Sequence, residues 1–340
     1  MNKTITVAKA INQALTAVFE QDDRVYLLGE DVLDPYGGAF KISKGLSSRW
    51  PERVLTTPIS EAAFTGIAAG MALRGERPVI EIMFGDFITL AFDQILNHIT
   101  KYNLMYGGNV DCPVVIRTPM GGGRGYGPTH SQSLEKFFIG VPGLNVVALN
   151  RFHNTNNFYS ELILKEIKPS LIIENKQMYG RKYIGEVSEY KIFDVEYKGD
   201  LIPSVLFTPK SSSEIDVCLI SYSGCGDIAI EAAEELLMEN EIFTSVLILG
   251  TLSPLPLKAI EEFVEDVKQI VIVEEGSLVL GIGAEISAIL MEQCFDKLKA
   301  PVQRIAAQGG VIPCAAEKEK IFLPGAKMVV DRVLDMLEKS

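Results

Sequence analysis

Glu61 stands in TTPISEAAF, where a strand-like run gives way to an apolar helical pattern. A carboxylate at that point gains from the helix dipole, and Ser60 is placed to cap the helix. Capping alone accounts for the pair. The same carboxyl is also placed to exchange a proton with a buried heterocycle, if apolar neighbours raise its pKa. Phe84 and Phe87 open a second helical pattern, FGDFITLAFDQILNH, directly after the strand-like RPVIEIMF. They read as core, or as a wall on which a flat ring stacks. His130 lies in a glycine-rich stretch, MGGGRGYGPTHSQS, and the next helical pattern starts only near Ser133. The stretch lacks the Gly-Lys-Ser/Thr ending of a phosphate-binding loop, and no helix begins at its glycines. A loop that presents His130 is therefore favoured over a phosphate cradle. His98 and His153 read as surface residues. Arg124, in the same loop as His130, has no assigned role.

SYSGCGDIA follows a strand and opens a helix, with Gly224, Gly226 and Ala229 in a Gly-x-Gly-x-x-Ala pattern. The placement fits a dinucleotide turn. The acidic residue that should hold a ribose is missing from FTSVLILGT, and a tight strand-to-helix turn explains these glycines equally well.

Such residues need elements to position them. RVYLLGED, VLTTPIS, RPVIEIMF, CPVVIRTP, LNVVALN and SLIIENKQ are strand candidates, with helical patterns such as EAAFTGIAAGMALRG between them. Strands without polar alternation, spaced by helices, imply a mostly parallel sheet covered on both faces. Ligand crevices of such sheets open at the carboxyl ends of the strands, where Glu61 falls. The pattern breaks near 181–213, in mixed, charged sequence that ends in a serine run, and then resumes. An α/β fold of two domains follows, residues 1–180 and 214–340, joined by a linker or crossing segment over 181–213.

At 340 residues the chain has room for two cores, and its net charge of −12 argues against nucleic acid as a partner. No apolar run reaches the length of a membrane span, and the N-terminal stretch reads as an amphipathic helix rather than a secretory leader. Cysteines 112, 218, 225, 294 and 314 form no Cys-x-x-Cys pair, so buried thiols in a reducing cytoplasm are expected.

The segments LLGEDV, YGGAFKISKGL, TPISEAAFTGIAAGMALRGERPVIEIMFGDF, FDQILNHITKY, HSQSLEKFF, PGLNVV and IVEEG…GIGAEI, in this order, resemble the beta subunit of the thiamine-diphosphate-dependent 2-oxo acid dehydrogenases. This is the decarboxylating component of the pyruvate and branched-chain complexes. The resemblance runs from about residue 4 to the C-terminus and is strongest through residue 147. It implies a transketolase-like pyrimidine-binding domain followed by a transketolase C-terminal domain. It also implies that the Glu61 carboxyl hydrogen-bonds a ring nitrogen of the aminopyrimidine and favours its imino tautomer. Phe87 matches the position of an aromatic set against the pyrimidine, with Phe84 beside it. His130 matches the active-site histidine that faces the substrate and the lipoyl group.

In the family the diphosphate is bound through Mg2+ at a Gly-Asp-Gly motif on the alpha subunit, and no Gly-Asp-Gly occurs in this chain. The resemblance thus implies an alpha subunit as partner, in an α2β2 tetramer, with a lipoyl acyltransferase core as a further partner. A two-chain carboligase or transketolase-like enzyme is the alternative, and a non-catalytic scaffold subunit a third. Two stretches depart from the family. ALNRFHNTNNFYS, 148–160 and so including the segment 149–160, replaces a proline-containing segment. The potassium position of the family reads KEIKP, with Glu166 and Lys168 where Asp and Asn are usual, and an ammonium group there disfavours a bound cation.

Overall fold

The computed structural model describes residues 4–199, 201–211, 214–265, 267 and 269–338. They form two compact units, one of residues 1–120 with 137–186, the other of 121–136 with 187–340.

In the first unit, α1 (Val7–Gln21) starts at Thr6, whose hydroxyl accepts the Lys9 N–H at 3.3 Å. Its buried stripe is Val7, Ala10, Ile11, Ala14, Leu15 and Val18, the spacing of one helical face. Six strands follow: β1 (Val25–Gly29), β2 (Val54–Thr56), β3 (Arg77–Glu81), β4 (Val115–Met120), β5 (Asn145–Ala148) and β6 (Ser170–Asn175). They lie in the order β5-β6-β4-β3-β1-β2, and every pair is parallel. All six strand candidates of the sequence are present. β4 and β6 are buried along their whole length, which is why they show no polar-apolar alternation. Between β2 and β3 runs α2 (Glu61–Leu73), rich in alanine and glycine.

The region after β3 differs from the single helix expected there. Gly85–Ala91 is a 3-10 turn and Gln94–Ile99 a π-helical turn. A side chain at Gly85 would meet Met120 Cγ at 2.3 Å, so the backbone sits directly on β4. The helix expected near Ser133 is reduced to one 3-10 turn, Glu135–Phe137. Segment 149–160 folds as a buried turn and a short helix, Thr155–Ser160, whose first amides are capped by Asn154.

The second unit contains the loop 121–136 and a seven-stranded sheet. Its strands are β7 (Glu189–Tyr190), β8 (Phe193–Lys198), β9 (Ser204–Pro209), β10 (Val217–Tyr222), β11 (Thr244–Leu249), β12 (Gln269–Ser277) and β13 (Gln303–Ala307), in the order β13-β12-β10-β11-β9-β8-β7. The first four in that order are parallel, and β9, β8 and β7 are added antiparallel. Segment 181–213, expected as a linker, thus supplies three edge strands of this sheet. Its mixed pattern has a physical reason. In β8 the buried Phe193 and Val195 alternate with exposed Asp194 and Glu196, as in a strand with one wet face. Ser212 and Ser213 of the serine run lie outside the described residues. The helices used below are α3 (Cys225–Asn240), α4 (Ile282–Gln293) and α5 (Ala316–Phe322).

Candidate active site

At the carboxyl edge of the first sheet, Glu61 is the first residue of α2 and only 4% exposed. Ser60 occupies the cap position, but its side chain makes no capping bond; its carbonyl takes the N–H groups of Ala63 and Phe64. The capping role expected for the Ser60 hydroxyl is therefore corrected. Among the described residues, nothing hydrogen-bonds the Glu61 carboxyl. The N-terminal end of the helix favours its negative charge. Glu30, directly after β1, is also buried, and its Oε1 has no partner among the described residues. Burial pushes the Glu30 carboxyl up to about 7, with the charges of Glu61 and then Asp31 adding to the effect. Two carboxyls thus share one low-dielectric edge.

Phe84 and Phe87 are half-buried and meet edge to face, with ring centroids 6.0 Å apart. Phe84 also packs edge-on against Phe40 at 5.6 Å, and the Lys176 ammonium lies 5.5 Å from its ring centre. Phe40 in turn touches Tyr179. Behind these rings is a buried ionic network. Arg117 forks onto Glu174 at 2.9 and 2.6 Å and also pairs with Glu81. Tyr159 and Tyr179 each donate a hydroxyl to Glu174 at 2.5 Å. Burial works against the Arg117 charge, but Glu174 and Glu81 outweigh it and keep the guanidinium protonated. Gly38, at φ +79°, leaves the space that Glu81 needs, since a Cβ there would lie 2.3 Å from its Oε1. The aromatic wall therefore stands on charges already satisfied within the unit.

His130 belongs to the second unit, where its loop is held by carboxylates. Gly121, Gly123, Gly125 and Gly127 all have positive φ and Gly122 does not, an alternation that turns successive backbone N–H groups inward. Gly123 and Gly125 donate to Glu319 of α5 at 2.9 and 2.7 Å, and Gly122 donates to Glu275 of β12 at 2.5 Å. The glycine run does cradle an anion, but the anion is the chain's own carboxylate. His130 is half-buried, with Nδ1 3.0 Å from Thr129 Oγ1. Nearby, Glu135 is buried and accepts the Tyr222 hydroxyl at 2.5 Å.

Other expectations resolve within single units. His153 is buried, not a surface residue, and lies within hydrogen-bonding distance of Asn150. His98 is half-buried and stacked on Tyr102. Four of the five free cysteines are buried; Cys314 is exposed, contrary to expectation. Gly226 follows the tight turn at Ser223 (φ 48°), and a Cβ there would meet Ile248 at 2.6 Å, so close packing of α3 on the sheet accounts for this glycine. At KEIKP the carbonyls of Ile163 and Glu166 accept Nη1 of Arg77 at 2.8 and 3.1 Å. The Glu166 carboxylate turns back onto the N–H groups of Ile167 and Lys168. This donor set, committed to an internal cation and to backbone, does not fit potassium.

No motif in the sequence marks Glu30, Glu81, Arg117, Glu174, Lys176 or Glu319 as a site residue. Glu30, Glu81, Glu174 and Lys176 share a signal: each is a charge at or just beyond the carboxyl end of a largely apolar strand, whereas Arg117 lies within β4.

The model of the transketolase pyrimidine binding domain matches residues 3–182, and that of the transketolase C-terminal domain matches 209–329. A solved split-gene transketolase, described as an inactive beta4 tetramer, covers 98% of this chain and 98% of its own, with a TM-score of 0.73 at 20% identity. Fold and matches together define a transketolase-type protein. The pyruvate dehydrogenase E1 component subunit beta of Saccharomyces cerevisiae, a mitochondrial protein, is 34% identical over 98% of this chain and 89% of its own length. That of Rickettsia felis is 34% identical over 97% of each chain. The chain belongs to the family of these E1 beta subunits and their relatives. One such relative, the beta subunit of the acetoin:2,6-dichlorophenolindophenol oxidoreductase of Cupriavidus necator, is 32% identical over 97% of this chain and 96% of its own.

Proposed function

We propose that this chain is the beta subunit of a two-chain, thiamine-diphosphate-dependent enzyme that decarboxylates a 2-oxo acid and passes the acyl group to a lipoyl domain. The setting of Glu61 carries this reading. It is a nearly buried carboxyl at a helix N-terminus that makes no hydrogen bond to the described residues. The orphaned Oε1 of Glu30 shares the same edge. Buried carboxyl oxygens of this kind need donors, and an aminopyrimidine offers N–H groups together with a ring nitrogen.

Thiamine diphosphate, when bound, supplies the electron sink for the decarboxylation. Glu61 is the residue that would hold the pyrimidine ring through a hydrogen bond at its carboxyl oxygen and exchange a proton there. Glu30, at about 7, is close to half protonated at neutral pH and so softens the charge repulsion on Glu61. Phe84 and Phe87 offer half-exposed ring surface to a flat heterocycle. His130 donates a hydrogen bond or proton as the lipoyl sulfur is opened. The diphosphate and its Mg2+ are assigned to an alpha subunit in an α2β2 assembly, because this chain has no Gly-Asp-Gly and the relatives above are named as beta subunits.

Co-purification tests the partnership: a chain carrying Gly-Asp-Gly is expected to come down with this one, and the pair should acylate lipoamide in a thiamine-diphosphate-dependent way. Tight binding of thiamine diphosphate and Mg2+ by this chain alone would refute the divided site. The acetoin-oxidising relative, nearly as similar as the pyruvate ones, favours a second reading in which the substrate is an acyloin. Dye reduction with acetoin but not with pyruvate would select it.

A further inference from the structure

We infer that Glu319 is a positioning residue for His130, holding the histidine's loop through backbone amides. The inference rests on the reading of His130 as the acyl-transfer histidine and adds the device that places it.

The loop from Gly121 to Ser131 has few side chains with which to pack. A glycine-rich segment loses much conformational freedom on ordering, so directional bonds must hold it. The Gly121 N–H donates to the Gln132 carbonyl at 3.2 Å and closes the base of the loop. The His130 N–H donates to the Gly127 carbonyl at 3.3 Å and makes the turn that carries the histidine. Between these two points Glu275 takes the amide of Gly122, and Glu319 takes two, those of Gly123 and Gly125, one on each carboxylate oxygen. Glu319 is only 1% exposed, although its neighbours Lys318 and Lys320 are exposed. A buried carboxylate is costly without donors, and charge-assisted bonds to amides are among the strong ones.

The fit is two-sided. A Cβ at Gly122 would lie 2.9 Å from Glu319 Oε1 and 2.8 Å from Leu323, so no larger residue enters without moving the carboxylate. A Cβ at Gly127 would lie 2.6 Å from Cys314 Sγ. Glu319 thus does for the loop what a bound phosphate does for a nucleotide-binding loop: it freezes a strained glycine path by filling the concavity of its amides. Proton transfer depends steeply on placement, so a loosened loop should slow the step that uses His130 and leave substrate binding intact.

The test uses Glu319→Gln, which keeps the shape and removes the charge, with Glu319→Ala as the harsher variant. In the full chain, limited trypsin cleavage after the exposed Arg124 reads the loop directly. Cleavage there is expected to rise about 10-fold or more in Glu319→Gln, with cleavage elsewhere and Tm nearly unchanged. In the assembled enzyme, kcat for lipoamide acylation should fall about 10-fold, with KM for the 2-oxo acid held within about twofold. Glu319→Asp, shorter by one methylene, should recover part of both losses. Unchanged cleavage at Arg124, or faster cleavage with unchanged kcat, overturns the inference. So does a rise in cleavage spread evenly over the chain, which would mark a general loss of stability. If the parent enzyme shows no thiamine-dependent turnover, the proposed function fails, while the Arg124 cleavage ratio still decides whether Glu319 holds the loop.

Discussion

The two units place their candidate reactive side chains, Glu61 and His130, by opposite means. In the first, Glu61 starts a regular helix beside six parallel strands, and the same unit holds a buried network of side-chain charges. In the second, His130 sits on a glycine-rich loop, and carboxylates reach from β12 and α5 to grip the loop's own backbone. Buried charge costs free energy in both places and is repaid by partners, a guanidinium in one and amides in the other. The difference teaches where plasticity is allowed. The proposed proton-holding carboxyl is built at the start of a helix and is nearly buried. The proposed acyl-transfer histidine is built on a loop whose backbone is held by two carboxylates, Glu275 and Glu319.

The comparison can be broken most sharply at Glu61. Glu61→Gln should lower turnover of the assembled enzyme by about 10²–10⁴-fold with little change in thermal stability, measured by steady-state rates and calorimetry. Near-normal turnover would remove Glu61 from the chemistry and leave only its place at the helix start. The stiff side of the comparison is tested by Arg117→Met, which strands Glu81 and Glu174 in the core. A loss of about 3–5 kcal/mol in urea unfolding is expected. A loss near zero would show that the network does not stiffen the Glu61 edge.

A third variant probes charge buried in the second unit. Glu274 of β12 accepts the Gly283 N–H at the start of α4, and burial pushes its carboxyl up to about 7. The folded state therefore holds this proton more tightly than the unfolded chain does. Stability from this group is full below the ordinary carboxylate range and falls as pH rises from about 4.5 to about 7. Glu274→Gln should abolish that fall, a relative gain of up to about 3 kcal/mol at pH 8 over pH 5 in denaturant titrations. A variant that keeps the parent's pH slope would place the titrating group elsewhere. The smallest effect is expected from Phe87→Ala, which removes one edge-to-face partner of Phe84. It should cost about 1 kcal/mol of stability and raise the concentration of thiamine diphosphate needed for half activity several-fold. An unchanged cofactor requirement would return Phe87 to plain packing.

Much of the frame was legible in the residues. The runs that became β4, β5 and β6 are buried along their whole length, so their pattern is nearly independent of context. The helix opening at Glu61 and the loop carrying His130 could be placed from glycine, proline and alanine patterns alone. What was not legible depends on partners far along the chain. Ser60 has the right identity for a cap and does not cap, because its backbone takes another path. His153 stands in polar sequence and is buried, because Asn150 folds back onto it. The strands of 187–209 looked like a linker because one of their faces is wet.

The sequence by itself determined the alternation of strands and helices, the place of Glu61 at a strand-to-helix junction and the glycine path beneath His130. These rest on local preference, on period and on the few residues that tolerate positive φ. Only the tertiary structure decided what charges those features meet. Arg117 and Glu174 are 57 residues apart, and Gly123 and Glu319 are 196 apart. Nothing local selects such pairs. They form because folding removes water from each charge, and each buried charge must then find a donor or acceptor wherever the chain has brought one.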